Sequence, residues 1–192
     1  TLLGDRDRSA DESPLPTMVV PTRQNHVQQR LSLFKTAGIS VDILQSDCLA
    51  LHNALRFEMD EQPSAEDVIA LVDIGADESN VVVSSPHSVW FRSFGLGGHS
   101  FTAALLKHFQ TTYDLAEQLK HQPAKARRYY QFREAIEPLL FHLVGEIDRS
   151  LSSFRRLAGE RNVERVYALG GGARLHGIVR HCRSSAAASA GG

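Results

Sequence analysis

The run Val68-Ile69-Ala70-Leu71-Val72-Asp73-Ile74 constrains this chain more than any other stretch. A strand with one wet face alternates apolar and polar residues, whereas an unbroken apolar run is covered on both faces. Helices must therefore flank its sheet on either side, which sets an α/β class with three layers. A turn at Gly75 to Glu78, a run from Ser79 to Ser84, a turn at Ser85 to Ser88 and a run from Val89 to Phe94 follow. Connections this short join antiparallel neighbours, so the three strands read as a meander.

Beyond the meander, Gly95 to Gly98 lead into a helix whose inward positions are Phe101, Leu105, His108 and Phe109. Phe132, Ile136, Leu140, Leu143, Ile147, Leu151 and Phe154 then recur at intervals of three and four, a long amphipathic helix. Pro138 should kink it or open a new helix, because proline lacks the amide and crowds the preceding turn. Gly159 closes it, and Glu164 to Leu169 is a fourth strand. Gly170 to Ala173 and a short helix over 175–181 complete a β-β-β-α-α-β-α unit. Trp90 is expected in the core or at the sheet edge.

The stretch before the meander is weaker. Met18 to Val20 predicts a strand, residues 23–37 a helix with Val27, Leu31 and Phe34 on one face, and Ile39 to Leu44 an alternating strand. Ser46 or Asp47 caps a second helix. This β-α-β-α block has too little core to stand alone and should lean on another part of the protein, or self-associate through its apolar surface. Glu58 to Asp67, with five acids and a proline, marks a boundary. The expected divisions are a polar lead-in or surface loop over 1–16, a first unit over 17–62, a second over 63–183, and an Ala/Ser/Gly tail over 184–192.

Charge narrows the function. Lys plus Arg is 21 and Asp plus Glu 22, a net charge of -1, without the basic excess of a nucleic-acid binder. No stretch approaches the roughly 20 apolar residues of a membrane helix. Cys48 and Cys182 make no disulfide framework and read as ordinary thiols. There is no Gly-x-Ser-x-Gly elbow for acyl transfer. His176, His181 and Cys182 could lie near one another, with metal ligation the minor reading, and His99 could touch a phosphate but reads first as a solvent-facing loop residue.

The chemistry lies in three glycine turns. Asp73-Ile74-Gly75 ends a buried strand, where a glycine allows a phosphate close to the backbone and a carboxylate can hold Mg2+ through water. Gly97-Gly98 opens a helix, whose first amides form an anion site. Gly170-Gly171-Gly172 follows a strand, and its bare backbone can support a flat ring or ribose. Each turn also has a purely geometric explanation.

In this order, and with the helix motif Ala116-Glu117-Gln118-Leu119-Lys120, the turns resemble the actin-like ATPase superfamily with its ribonuclease H-like fold. Within it the chain is similar to the PilM family of type IV pilus assembly proteins, relatives of the cell-division protein FtsA. The likeness spans residues 17–181 and rests mainly on Val72 to Val83, Phe91 to Thr102, Ala116 to Lys120 and Ala168 to Ile178. It implies one near-complete actin-like domain preceded by the closing part of another. It also implies ATP or ADP with Mg2+ in an interdomain cleft. Asp73 would orient Mg2+ or water, Gly75, Gly97, Gly98 and Thr102 would lie near the phosphates, Glu117 and Lys120 would meet ribose and adenine, and Gly171 and Gly172 the adenosine. The implied role is a scaffold in the cytoplasm, at the inner membrane through the cytoplasmic tail of a PilN-like membrane protein.

The family's first phosphate turn sits on an opening hairpin, and residues 1–16 carry no such pattern. The expectation is therefore a fragment that is at most a weak ATPase, because phosphoryl transfer depends on positioning and charge stabilisation. A sugar or small-acid kinase of the same superfamily, or an FtsA-like protein, is the alternative; the Glu117/Lys120 helix fits the actin, FtsA and PilM side better.

Overall fold

The structure is a computed structural model, and it describes residues 3–4, 20–58, 68–86, 88–123, 129–159, 162–178 and 181. The meander forms as the apolar runs require. Strands β2 (Ile69–Ile74), β3 (Ser79–Ser85) and β4 (Ser88–Phe94) pair antiparallel in sequence order. Strand β5 (Arg165–Leu169) adds parallel to β2, with Asp73 opposite Leu169. A two-residue strand β1 (Leu3–Gly4), which the polar lead-in did not signal, pairs with β4 at the other edge. The sheet order is β1-β4-β3-β2-β5.

Both faces of the central strands are covered. Ala70, Val72, Ile74, Val81 and Val83 face a core built with α3 (Gly98–Phe109) and α5 (Tyr129–Leu157), which supply Phe101, Leu105, Phe132, Ile136, Leu140 and Leu143. Phe101 and Phe132 are 1% and 0% exposed, and burying each contributes about 2–3 kcal/mol. Trp90 packs in this core, edge-on to Phe154 at 6.2 Å. His108, expected inward, is exposed, while Phe109 packs against the core. Leu71, Val82 and Val89 face the opposite way, against Cys48 of α2 (Asp47–Glu58). The second helical layer is thus supplied by a helix that precedes the acidic stretch.

Helix α5 runs unbroken through Pro138. Pro138 and Glu134, four residues before it, are both exposed, so water can take the carbonyl that loses its amide partner. Gly159, at φ +66°, ends the helix region in a conformation few other residues adopt. Arg92 of β4 ties the sheet to α5 through Glu146 at 2.8 Å. Along α5, Arg133 pairs with Glu137, and Arg149 with Glu146.

The block before α2 departs from expectation. Ile39 to Leu44 is not a strand: Ile39, Val41, Ile43 and Leu44 are 54%, 37%, 80% and 59% exposed. An alternating segment becomes a strand only when a ladder partner lies beside it, and none does so among the described residues. Helix α1 (Gln24–Thr36) forms, but none of its residues is buried; Leu33 and Phe34 stand open at 66% and 45%. Ser46 does cap α2, accepting from the Leu49 amide at 3.4 Å. The Met18–Val20 strand lies outside the described residues except at Val20, which is not in a strand. The acidic boundary, the Ala/Ser/Gly tail and most of the lead-in lie outside them too. The expected helix over 175–181 is preceded by a 3-10 turn, Gly171–Arg174, and two of its own residues lie outside the described set.

Candidate functional site

Parallel pairing of β2 and β5 ends the two strands side by side, so the Gly75 turn and the Gly170–Gly172 turn emerge together. In open α/β sheets such carboxyl ends are where ligands bind. The start of α3 lies against the first turn: the Gly98 amide donates to the Gly75 carbonyl at 2.9 Å and the His99 amide to that of Ala76 at 2.8 Å. A cavity of about 320 Å³ opens there, lined by residues of all three glycine turns and of α4 (Tyr113–His121). That volume is in the range of small-molecule sites.

Of the sequence-predicted residues, Gly75, Gly98, Glu117, Lys120, Gly171 and Gly172 line the cavity. Asp73, Gly97 and Thr102 do not. Asp73 stands behind the turn of Gly170, where a Cβ would come within 2.5 Å of its Oδ1. Gly170 has φ +84°, so both backbone and space demand glycine. A Cβ on Gly97 would sit 2.5 Å from the Ala76 carbonyl oxygen, so this glycine lets two loops touch. A Cβ on Gly172 would meet the Ile74 side chain at 2.2 Å, whereas one on Gly171 would meet nothing within 4 Å. Gly171 therefore offers an open backbone surface.

Beneath the cavity is a closed polar cluster. Lys120, 8% exposed, donates to Glu117 Oε1 at 2.6 Å, Thr102 Oγ1 at 2.9 Å and the Gly98 carbonyl at 3.4 Å. The Thr102 hydroxyl, itself buried, reaches the Gly98 carbonyl and Glu117. Burial alone would raise the Glu117 carboxyl. Hydrogen bonds from Lys120 and Thr102, with the charges of Lys120 and His121, outweigh it and hold the group below its ordinary range. Glu117 Oε2 points the other way, 3.6 Å from His121 Nε2.

Two polar lining side chains escaped the sequence reading: Tyr113 and His121. Tyr113 and His121 stand four residues either side of Glu117 on one helix, so helical spacing from Glu117 was enough to find them. His99 is half exposed as expected of a solvent-facing residue, yet it lines the cavity, bonded to Asp77 Oδ1 at 2.9 Å. Near the end of the chain, His176 and His181 line one shared pocket, each bonded to a different group: His176 to the Tyr129 hydroxyl at 2.7 Å and His181 to the Gly177 carbonyl. Cys182 lies outside the described residues.

A mixed sheet with helices on both faces and glycine turns converging at its carboxyl edge defines an actin-like fold, and solved structures agree. MreB 5 of Spiroplasma citri bound to AMPPNP superposes with a TM-score of 0.64 at 16% identity, over 85% of this chain and 58% of that one. The ethanolamine utilization protein EutJ from Carboxydothermus hydrogenoformans gives 0.56 at 17% identity, over 79% and 50%. The chain belongs to the family of the type IV pilus assembly protein PilM, whose profile matches residues 2–189. A structure of a PilM-PilN type IV pilus biogenesis complex matches with a TM-score of 0.71 and 29% identity, over 85% of this chain. This chain spans 46% of that one. No curated protein matches in sequence. Among the described residues, no helix is long and apolar enough to cross a membrane.

Proposed function

We propose that this chain carries the nucleotide-binding wall of a PilM-like scaffold, which takes ATP or ADP in an interdomain cleft and docks the cytoplasmic tail of a PilN-like membrane protein. The observation that carries the nucleotide reading is the convergence of Gly75, Gly98, Gly171, Glu117 and Lys120 on one cavity of suitable size. Gly171 leaves open backbone for a flat ring, and Glu117 Oε2, away from Lys120, is an acceptor for ribose hydroxyls. MreB 5 of Spiroplasma citri, which shares this fold, is bound to AMPPNP, which supports a nucleotide as the ligand class.

Bound nucleotide would supply the charge and bulk that order the cleft, with no turnover required. Lys120 and Thr102 fix the Glu117 rotamer, so α4 presents its acceptor without further ordering cost. Asp73 stands off the cavity wall and would act on Mg2+ only through water. At most weak ATPase activity follows, because hydrolysis needs a positioned water and a full set of phosphate donors.

The partner reading rests on the PilM-PilN complex and on exposed Leu33, Phe34, Ile43 and Leu44, surface that suits an apolar partner and permits self-association. The implied location is the cytoplasmic side of the inner membrane, held there by that partner.

Calorimetry with MgATP and MgADP tests the nucleotide reading on this chain, Asp73→Ala and Glu117→Ala. Saturable binding that Glu117→Ala weakens supports it. Binding indifferent to Glu117, or none at millimolar nucleotide, assigns the glycines to packing alone.

A further inference from the structure

A second cavity, of about 290 Å³, lies between the start of α5 and the segment after the 3-10 turn, and it shares no lining residue with the first. Its apolar wall is Phe132, Ile136 and Leu140, which are 0%, 2% and 3% exposed. Its rim is polar. The Tyr129 hydroxyl is hydrogen-bonded to His176 Nε2 at 2.7 Å, and Arg133 donates to Glu137 at 2.7 Å. His181 Nδ1 bonds the Gly177 carbonyl at 2.9 Å, and its ring stands edge-on to exposed Phe141, 5.3 Å between centres. A guanidinium carries five N–H donors, and among the described residues Arg133 uses one of them, on Glu137. The others are open to a carboxylate, which an arginine grips through two parallel bonds. Charge along the lining segments is one-sided. Residues 123–133 and 170–183, which supply Tyr129, Phe132 and Arg133 on one side and His176, Gly177 and His181 on the other, hold one lysine, six arginines and no Asp or Glu. The whole chain has a net charge of -1, so this excess is local. Glu137, the acid in the lining, is paired with Arg133.

From this combination we infer that the second cavity is a docking site for an acidic segment of a partner protein. One bulky apolar side chain enters against Phe132 and Ile136, and the carboxylates beside it meet Arg133 and the basic stretches. An apolar anchor in a pocket, ringed by complementary charge, is how a short segment gains both affinity and register. The volume stands at the lower limit of small-molecule sites, about 300 Å³, and suits a single side chain. Basic residues spread over two stretches match the successive carboxylates of a peptide better than the single charge of a small acid. A nucleic-acid strand would meet the same cations, yet it has no apolar side chain to fill a wall of buried phenylalanine, isoleucine and leucine. The residues after Arg183 are Ser, Ala and Gly alone, so they offer neither a bulky apolar side chain nor an acidic one. This site is independent of the nucleotide cavity, and its test leaves that reading untouched.

The test follows the fluorescence polarisation of a fluorescein-labelled peptide, Asp-Glu-Phe-Glu-Asp, titrated with the full chain. Saturable binding is expected. It should weaken about tenfold when serine replaces the peptide's phenylalanine, and about tenfold when salt rises from about 0.05 M to about 0.5 M. Arg133→Gln should weaken it about fivefold and Phe141→Ser about threefold, both at exposed positions where substitution leaves the fold intact. Arg149→Gln, on the same helix, exposed and outside the cavity lining, should leave the affinity unchanged. No saturable binding, equal binding of the serine peptide, or an equal loss with Arg149→Gln overturns the inference. So does a labelled thymidine oligonucleotide that binds more tightly than the peptide, which would assign the basic stretches to nucleic acid.

Discussion

Replacing Glu117 by glutamine keeps its shape and removes the charge that neutralises Lys120. The Lys120 side chain is 10% exposed and that of Glu117 25%, so the ammonium loses its counter-ion in a place water hardly enters. Breaking a fully buried pair costs about 3–5 kcal/mol. Partial exposure of Glu117 lets solvent and the remaining Thr102 and Gly98 contacts recover some of this, which brings the cost to about 2 kcal/mol. With a urea slope of about 2 kcal/mol per molar, the unfolding midpoint should fall by about 1 M. The double variant Glu117→Gln with Lys120→Met should be more stable than Glu117→Gln alone, because no charge is left stranded. The pH dependence has a definite sign. Glu117 is held below its ordinary value of 4.5 in the folded state, so its contribution is complete above that pH and drains away as pH falls through the folded value. An unfolding free energy unchanged within about 0.5 kcal/mol, or a double variant less stable than the single one, would refute the closed cluster.

Other consequences follow from the same geometry. Gly97→Ala should destabilise the chain by about 1–3 kcal/mol in thermal melts, because its methyl collides with the Ala76 carbonyl, whereas Gly171→Ala should leave stability within about 0.5 kcal/mol of the parent and act on nucleotide binding alone. Phe132→Ala, opening a void at a fully buried site, should cost about 3–5 kcal/mol by urea denaturation. His52 of α2 bonds Ser84 at 2.7 Å, and burial, then Arg56, lowers its affinity for a proton below the ordinary 6.5. A base so depressed stabilises the fold fully above 6.5 and less as pH falls through its folded value; unfolding midpoints between pH 8 and 5 should show this, and His52→Gln should flatten the dependence.

The second half of the chain was legible because its patterns are local or self-completing. Val68 to Ile74 demanded cover on both faces, and the short turns after it fixed the meander without knowledge of anything distant. The block from Ile39 to Leu44 was not legible, since alternation says what a segment does if paired and not whether a partner is present. Its exposed isoleucines and leucine are the physical mark of a surface built for something else. For the site, residue order named Gly75, Gly98, Glu117, Lys120 and Gly171, and these residues line one cavity. It could not show that the Gly98 and His99 amides turn inward to Gly75 and Ala76, because an amide's partner is a tertiary property. Nor could it separate Gly171, which is open, from Gly97 and Gly172, which are held by packing; that difference depends on neighbours far along the chain.

The central claim is that three glycine turns and the Glu117/Lys120 helix form one adenine-nucleotide site. Backbone amide mapping by NMR during a MgADP titration tests it most directly, because it reports place as well as affinity. The account predicts saturable shifts concentrated at Gly75, Gly98, Glu117, Lys120 and Gly171, with α1 and the middle of α5 unmoved. Shifts that never saturate, or that cluster away from this cavity, would contradict it.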